Sequence, residues 1–384
     1  MTRREALSRD GASCRWWARR QRLLRRPIPP TSEDVKYGQA LLWLSAGWLV
    51  VACHSGAAKS PATSLTPSAE ADRTDELLAL AREAHWTFPT SSGRPIGAPL
   101  PGWAARMVRE RSALVECAKR LVERGRRDQA LELGARTFRA WILANDDAGG
   151  RAFLAIVLHG IDEQTPSLFH ALALYGDALL SFRMGDLATS RSRSQSAMTL
   201  AQKLTAREAE GLACLALSRV DLSEGRDLEA EEHAARARAV LAQLGPHYQQ
   251  APLHMLAQAT RALGRFDRAS TLFAESLALN RTLRDEGMVQ VELHNLGHVE
   301  VRLGRLDSAE RHFAEAATGP ADDPYDHAIH LFNRASLAFA RGNFVSSRAL
   351  LDQARTLLRR AEVTLTADDE KEVADLERRL AERH

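Results

Sequence analysis

His294-Asn-Leu-Gly-His298 sets two imidazoles four residues apart, one turn of a helix and the spacing by which zinc sites draw two ligands from one face. The pattern lacks the glutamate of H-E-x-x-H, and no third ligand is evident, so a solvated helix face is the default reading and no metal is expected. His327 and His330 offer less. Cys117 and Cys214 fall at apolar positions of helical patterns and read as buried thiols serving as small apolar side chains. Serine, histidine and aspartate are plentiful, but none stands in a nucleophile-elbow context. No G-x-x-x-x-G-K-[ST] occurs, so no phosphate-cradling loop is encoded. No catalytic residue is assigned, no cofactor is expected, and the chain reads as a non-enzyme.

The elements that carry these residues are helical. The chain has 384 residues, 45% hydrophobic and 26% charged, close to globular averages, which excludes a wholly disordered protein. Alanine, leucine and arginine dominate and aromatics make up only 6%, a composition favouring helix over strand. Four cysteines are too few for a disulfide scaffold. The net charge of +3 is unevenly spread. Residues 1–52 hold ten basic and four acidic residues, whereas 53–384 hold 42 and 45. The bulk of the chain is therefore no basic nucleic-acid binder, and no nucleic-acid partner is expected.

Residues 40–52 form an uncharged, mostly apolar run too short for a membrane span of roughly twenty residues and suited to the apolar core of a signal peptide. It ends Val50-Val51-Ala52-Cys53, which resembles the lipobox of bacterial lipoproteins. That resemblance implies cleavage before Cys53, lipid on its thiol, and a place in the cell envelope, membrane-anchored and facing the periplasm. On this reading 1–34 is a disordered or untranslated extension, 35–52 the signal peptide with initiation at Val35, and 53–73 a flexible tether rich in small and hydroxylated residues. Residues 74–101 give a short helix and a Pro/Gly-rich loop, 102–363 a helical repeat array, and 364–384 a charged capping helix suited to a solvated end.

The array declares itself by self-similarity. Gly185-Asp-Leu-Ala-Thr-Ser190, Gly225-Arg-Asp-Leu-Glu-Ala230, Gly264-Arg-Phe-Asp-Arg-Ala269, Gly304-Arg-Leu-Asp-Ser-Ala309 and Gly342-Asn-Phe-Val-Ser-Ser347 align, with glycines 40, 39, 40 and 38 residues apart. Seven residues before each glycine stands Ala178, Ser218, Ala257, Gly297 or Ala335, and twelve after it Ala197, Ala237, Ser276, Ala316 or Ala354. Two antiparallel helices meeting at a glycine turn, with small residues at matching heights, satisfy this pattern. Close packing is expected at Ala257 and Gly297, with Glu300 facing outward. A weaker sixth unit places Asn145 at the turn and Gly150 five residues on.

This pattern resembles the tetratricopeptide repeat in its long form, which implies an all-α fold: an α-solenoid of antiparallel helical hairpins wound as a right-handed superhelix. Phe273 and Phe313 match the second-helix aromatic of that repeat, while the tyrosine usual late in the first helix is absent. Phe138-Arg139-Ala140-Trp141 with Gly149-Gly150-Arg151-x-x-Leu154, continued backward by the stretch Leu114–Ala130, resembles the helical sensor regions of large bacterial signalling ATPases and transcription regulators. In such arrays the first helix of each hairpin lines the concave face. The resemblance thus implies a ligand groove at Tyr175, Arg183, Arg219, His254, Arg261, His294, Asn295, His298, Arg302 and Asn333, with Arg139, Phe182, Gln258 and Phe332 beside them. Glu132 is the only acid at these inward positions, so an acidic or carboxylate-ended protein or peptide is the expected partner. The function expected is a lipid-anchored interaction scaffold; the alternative is a cytoplasmic sensor array acting beside a signalling ATPase or kinase.

Overall fold

The computed structural model describes residues 73–84, 102–144, 146–161, 166–317, 324–365 and 367–383, and among them every regular element is a helix. Residues 1–72, which hold the N-terminal extension, the signal-peptide segment, Cys53 and all of the tether but Arg73, lie outside the described residues, as does Asn145. The chain divides into two compact units, the boundary falling between Val220 and Asp221.

The described part of the first unit runs through α1 (Thr74–Arg82), α2 (Gly102–Arg109), α3 (Arg111–Glu123), α4 (Arg127–Thr137), α5 (Arg139–Leu143), α6 (Asp147–Leu158), α7 (Leu168–Arg183), α8 (Leu187–Lys203) and most of α9 (Arg207–Ser223). The short α1 is packed into this unit, with Leu77, Leu78 and Ala81 at most 1% exposed. Arg82 grips Glu132 of α4 with two hydrogen bonds of 2.9 and 2.7 Å. The inward-register acid Glu132 is thereby engaged from within the fold, and Arg136 adds a third bond. Close approach of α6 to its neighbours depends on Gly150, where an added Cβ would lie 2.9 Å from both Leu180 Cδ1 and Trp141 Cβ.

The second unit contains α10 (Asp227–Leu241), α11 (Gln250–Ala262), α12 (Phe266–Thr282), α13 (Glu286–Arg302), α14 (Leu306–Ala316), α15 (Pro324–Ala340), α16 (Phe344–Arg360) and α17 (Ala367–Ala381). α11–α12, α13–α14 and α15–α16 are antiparallel hairpins about Gly264, Gly304 and Gly342; α13 packs against α15, and α11 meets α13 through side-chain hydrogen bonds, as in an α-solenoid. The small residues sit where the helices meet. Ala257, Ala335 and Ala354 are fully buried, and Gly297 lies against the ring of Phe313. Glu300, expected to face outward, is instead 6% exposed, because Ser308 Oγ (3.0 Å) and His312 Nδ1 (2.8 Å) on α14 turn toward its carboxylate.

The turn chemistry explains the glycine period. Gly264 has φ of +72°; its N–H donates to Arg261 O and the Arg265 N–H to Thr260 O, closing the helix end through a left-handed residue. The same closure occurs at Gly185, Gly225, Gly304 and Gly342, and also at Gly125, where α3 turns into α4. Gly125 has Ala130 five residues on, so the repeat signature extends into a hairpin that the sequence alignment did not register. Twenty residues after Gly185, Gly264 and Gly342, the residues Thr205, Arg284 and Glu362 take φ of 52°, 55° and 55° and end the second helices in the same way.

Candidate functional site

In the second unit the inner register of α11, α13 and α15 is a ladder of polar side chains bonded from one repeat to the next. His254 Nδ1 lies 2.9 Å from Glu292 Oε1, which also accepts from Ser276 Oγ at 2.7 Å. Gln258 Nε2 donates to Asn295 Oδ1 at 3.3 Å, and Asn295 Nδ2 in turn donates to Val291 O. Asn333 on α15 bridges two imidazoles of α13: its Nδ2 donates to His294 Nδ1 at 3.1 Å, and its Oδ1 accepts from His298 Nε2 at 2.9 Å. Each of these side chains is buried except His298, which is partly exposed. A polar group desolvated to this degree is tolerated only when bonded, so the ladder fixes the relative height of neighbouring helices as well as lining the inner face.

The more open end of the ladder is cationic, and α17 covers it. Arg261 Nη1 donates to Glu372 Oε1 at 2.5 Å, His298 Nδ1 lies 3.4 Å from Glu372 Oε2, and Arg302 Nη1 lies 3.8 Å from Asp375 Oδ2. Arg302 also stands over the Phe266 ring, 5.2 Å from its centroid. Burial would push the Glu372 carboxyl up, but His298 and Arg261 outweigh it and hold the group at about 2. Burial and the neighbouring His298 hold His294 well below the ordinary histidine range, so it is neutral and accepts the Asn333 amide hydrogen.

His294, His298 and Glu372 offer ligand atoms within 4.8 Å of one another, a possible cation site. Two features of the surroundings disfavour a divalent ion there. A neutral histidine that ligates through one nitrogen must donate a proton from the other, so two such ligands need two acceptors behind them. Asn333 shows its oxygen to His298 and its NH2 to His294, and an amide flip only exchanges the two. Arg261 also places a fixed positive charge on the carboxylate the ion would use. The arrangement instead suits a carboxylate held between a guanidinium and an imidazole.

In the first unit Arg139, Tyr175, Arg183 and Arg219 of the inward register are deeply buried. Tyr175 is 1% exposed, and its hydroxyl, pushed up by burial, interacts with Arg219 and Arg139. Arg219 is 3% exposed and lies beside that hydroxyl. Arg183 is 5% exposed and donates from Nε to Asp147 Oδ1 at 2.6 Å, a buried ion pair between α7 and α6. An open cleft of about 530 Å3 on this unit is lined by Arg151, His159, Asp177 and Arg193 among others. There both arginines turn to Asp177, at 3.5 and 2.9 Å. Cys117 and Cys214 are buried as thiols.

The inner register thus brings together His254, Gln258, Arg261, His294, Asn295, His298 and Asn333 in the second unit, with Arg302 at its exposed edge. Tyr175, Arg183 and Arg219 lie in the interior of the first. Four acids that engage these residues stood outside the inward positions: Asp147, Glu292, Glu372 and Asp375. Glu372 and Asp375 were legible only as part of a charged terminal helix. Their separation of three residues, on the flank of Val373, Leu376 and Leu380, was the available signal.

No protein-family model matches the sequence. No curated protein matches it either. Among solved structures, Rap protein in complex with competence and sporulation factor is similar at 13% identity, covering 79% of this chain and 80% of that one, with a TM-score of 0.49. BtubC from P. vanneervenii shares 19% identity over 68% of this chain and 93% of its own, at 0.44. A tetratricopeptide repeat protein from Parabacteroides merdae shares 12% over 70% and 98%, at 0.43. At these scores the hairpins and turns of the chain itself carry the assignment of an all-α helical-repeat fold.

Proposed function

We propose that this chain is a non-enzymatic interaction scaffold that holds a protein or peptide segment, presenting carboxylates, along the inner helices of its hairpins. The observation that carries the reading is the seat formed by Arg261 and His298, which already closes on a carboxylate, that of Glu372. Guanidinium forks favour carboxylates, and the partly shielded inner face strengthens the attraction relative to bulk water. The seat, with Arg302 beside it, is the part of the inner register that keeps some exposure, whereas Arg183 and Arg219 are committed to the interior. The test is binding of a fluorescein-labelled glutamate-bearing peptide to the full chain and to an Arg261→Gln, Arg302→Gln variant, with the glutamine version of the peptide as control. Loss of binding in a variant that retains its helical circular dichroism supports the reading; undiminished binding sinks it.

The same proposal places the scaffold at a membrane through lipid on Cys53, in the cell envelope and facing the periplasm. This part rests on Val50-Val51-Ala52-Cys53 after an apolar run and on the tether composition that follows. Among the described residues no helix is long and apolar enough to cross a membrane. Two acyl chains hold a protein stably where one holds it marginally. Metabolic labelling with a fatty-acid analogue should mark the wild type and leave Cys53→Ala unlabelled and released from membranes. An unlabelled, soluble wild type that retains residues 35–52 would favour the cytoplasmic sensor instead.

A further inference from the structure

α17 has two working faces. Val373, Leu376 and Leu380 are buried in a cluster with Tyr325, Phe332 and Leu358, which seats the helix on the last hairpin, α15–α16. Arg355 of α16 clamps it with bonds to Glu370 and Glu377. A cap needs to cover only the apolar flank of that last hairpin. The acidic edge of α17 goes further. Asp369 accepts from Tyr325 on α15, within the last hairpin, but Glu372 reaches His298 in the hairpin before and Arg261 in the hairpin before that, 111 residues away in sequence. Asp375, one turn along, faces Arg302.

Capping does not require that reach, and the residues met are those of the carboxylate seat. We propose that α17 is a built-in ligand: Glu372 and Asp375 occupy the Arg261–His298–Arg302 seat in cis, and a partner enters by presenting the same chemistry, an acidic helix with two carboxylates one turn apart. This inference rests on the carboxylate-binding function proposed above and adds both its regulation and the shape of its ligand. The contacts suit a latch. The Arg302 and Asp375 side chains are 51% and 38% exposed, and such pairs hold weakly and yield to a competing charge or to salt. The apolar seat of α17 carries no charge, so a competing carboxylate acts on the acidic edge alone, and loss of that edge loosens the helix on its hairpin.

The experiment uses the full chain and an alanine-based helical peptide, fluorescein-labelled, bearing glutamates at i and i+3. Binding is followed by anisotropy at low salt in four proteins: wild type, Glu372→Gln with Asp375→Asn, Arg261→Gln with Arg302→Gln, and all four changes together. A latch closed nine-tenths of the time weakens apparent affinity about tenfold, so the Glu372/Asp375 variant should bind about tenfold more tightly than wild type. The arginine changes should cancel that gain. Amide exchange across 367–381 should quicken in the wild type when peptide is added. If wild type and the Glu372/Asp375 variant bind equally while the arginine variant does not bind, the seat is real and the latch is refuted. If none of the four binds, or the arginine changes are without effect, the carboxylate-binding function fails and the latch with it. Circular dichroism and retained exchange protection of α15 and α16 establish that the variants fold.

Discussion

Gly297 tests the register of the whole array. It lies in the middle of α13, and a Cβ placed there would stand 2.4, 2.6 and 2.9 Å from three carbons of the Phe313 ring. Ordinary contact begins at 3.4 Å, so the ring must retreat by about 1 Å. Phe313 is 5% exposed, so its retreat is resisted. Two effects of opposite sign then compete in Gly297→Ala. Replacing glycine inside a helix gains about 0.8–1 kcal/mol, and overpacking a well-filled contact costs roughly 1–3 kcal/mol. The net expectation is a loss of about 1 kcal/mol, with Gly297→Leu near or beyond the top of the overpacking range. The sign should reverse when the ring is removed: in a Phe313→Leu background, Gly297→Ala should stabilise, because the helix gain remains and most of the obstruction is gone. Urea denaturation measures this through the midpoint at constant slope, with amide exchange of α13 reporting on the second unit if the two units unfold separately. Arg311, exposed on α14, supplies a comparator whose replacement by alanine should change little. If Gly297→Ala stabilises equally in both backgrounds, the ring does not lie over Gly297 and the pairing of α13 with α14 is misplaced.

Arg284 holds φ of 55°, a conformation that costs a side-chain-bearing residue about 1–2 kcal/mol and glycine almost nothing. Arg284→Gly should therefore raise stability by about 0.5–1 kcal/mol after the entropy of glycine in the unfolded chain is deducted, and a lower denaturation midpoint would contradict the turn assignment. Because Asn333 supports only one of its two imidazoles as a zinc ligand, titration calorimetry with zinc should give the same isotherm for wild type and for His298→Gln; a site lost in that variant would refute the tautomer argument. His294 is held neutral in the fold, so the unfolded chain takes up its proton first, and stability should fall as pH drops below the ordinary histidine value of about 6.5. His294→Gln should flatten that slope of melting temperature against pH, and an unchanged slope would assign it to other groups. Glu372 is likewise held below its ordinary value, so its effect has the same sign at lower pH: its contribution is present above the ordinary carboxylate range and is lost as pH falls through about 2, so exchange protection of α17 should persist at pH 4.

The difference between what the sequence disclosed and what it concealed follows from the range of the interactions. The glycine of each hairpin was legible because a left-handed turn restricts residue type at a single position, and the small residues because close helix approach does the same. Thr205, Arg284 and Glu362 occupy equivalent turns without glycine, so nothing in their residue types marked them. The inner register was legible as a list of positions, since 3.6-residue periodicity fixes which residues share a helix face. Its electrostatics was not. Counting one acid among the inward positions gave a strongly positive groove, yet Arg183 meets Asp147 from α6, His254 meets Glu292 from α13, and Arg261 meets Glu372 from α17. Each pairing crosses between helices 36 to 111 residues apart, a separation that periodicity within one helix cannot see.

The fate of those pairings separates structure from function along the same register. Arg183 and Asp147 are both about 4% exposed in their side chains, so reversing the arginine's charge would leave two carboxylates buried together and would damage the fold whatever the groove does. A variant carrying Glu at Arg183 and Arg219 can therefore say nothing about binding. Arg261 and Arg302 keep 21% and 51% of their side chains exposed, and their acids come from a helix seated independently by Val373, Leu376 and Leu380. At that end of the register alone the charges can be changed, exchanged or competed for without emptying a core. Among the described residues, the inward-register cations whose partners can be exchanged are thus Arg261 and Arg302, closed on Glu372 and Asp375, which makes the acidic edge of α17 both the model for the ligand and its competitor.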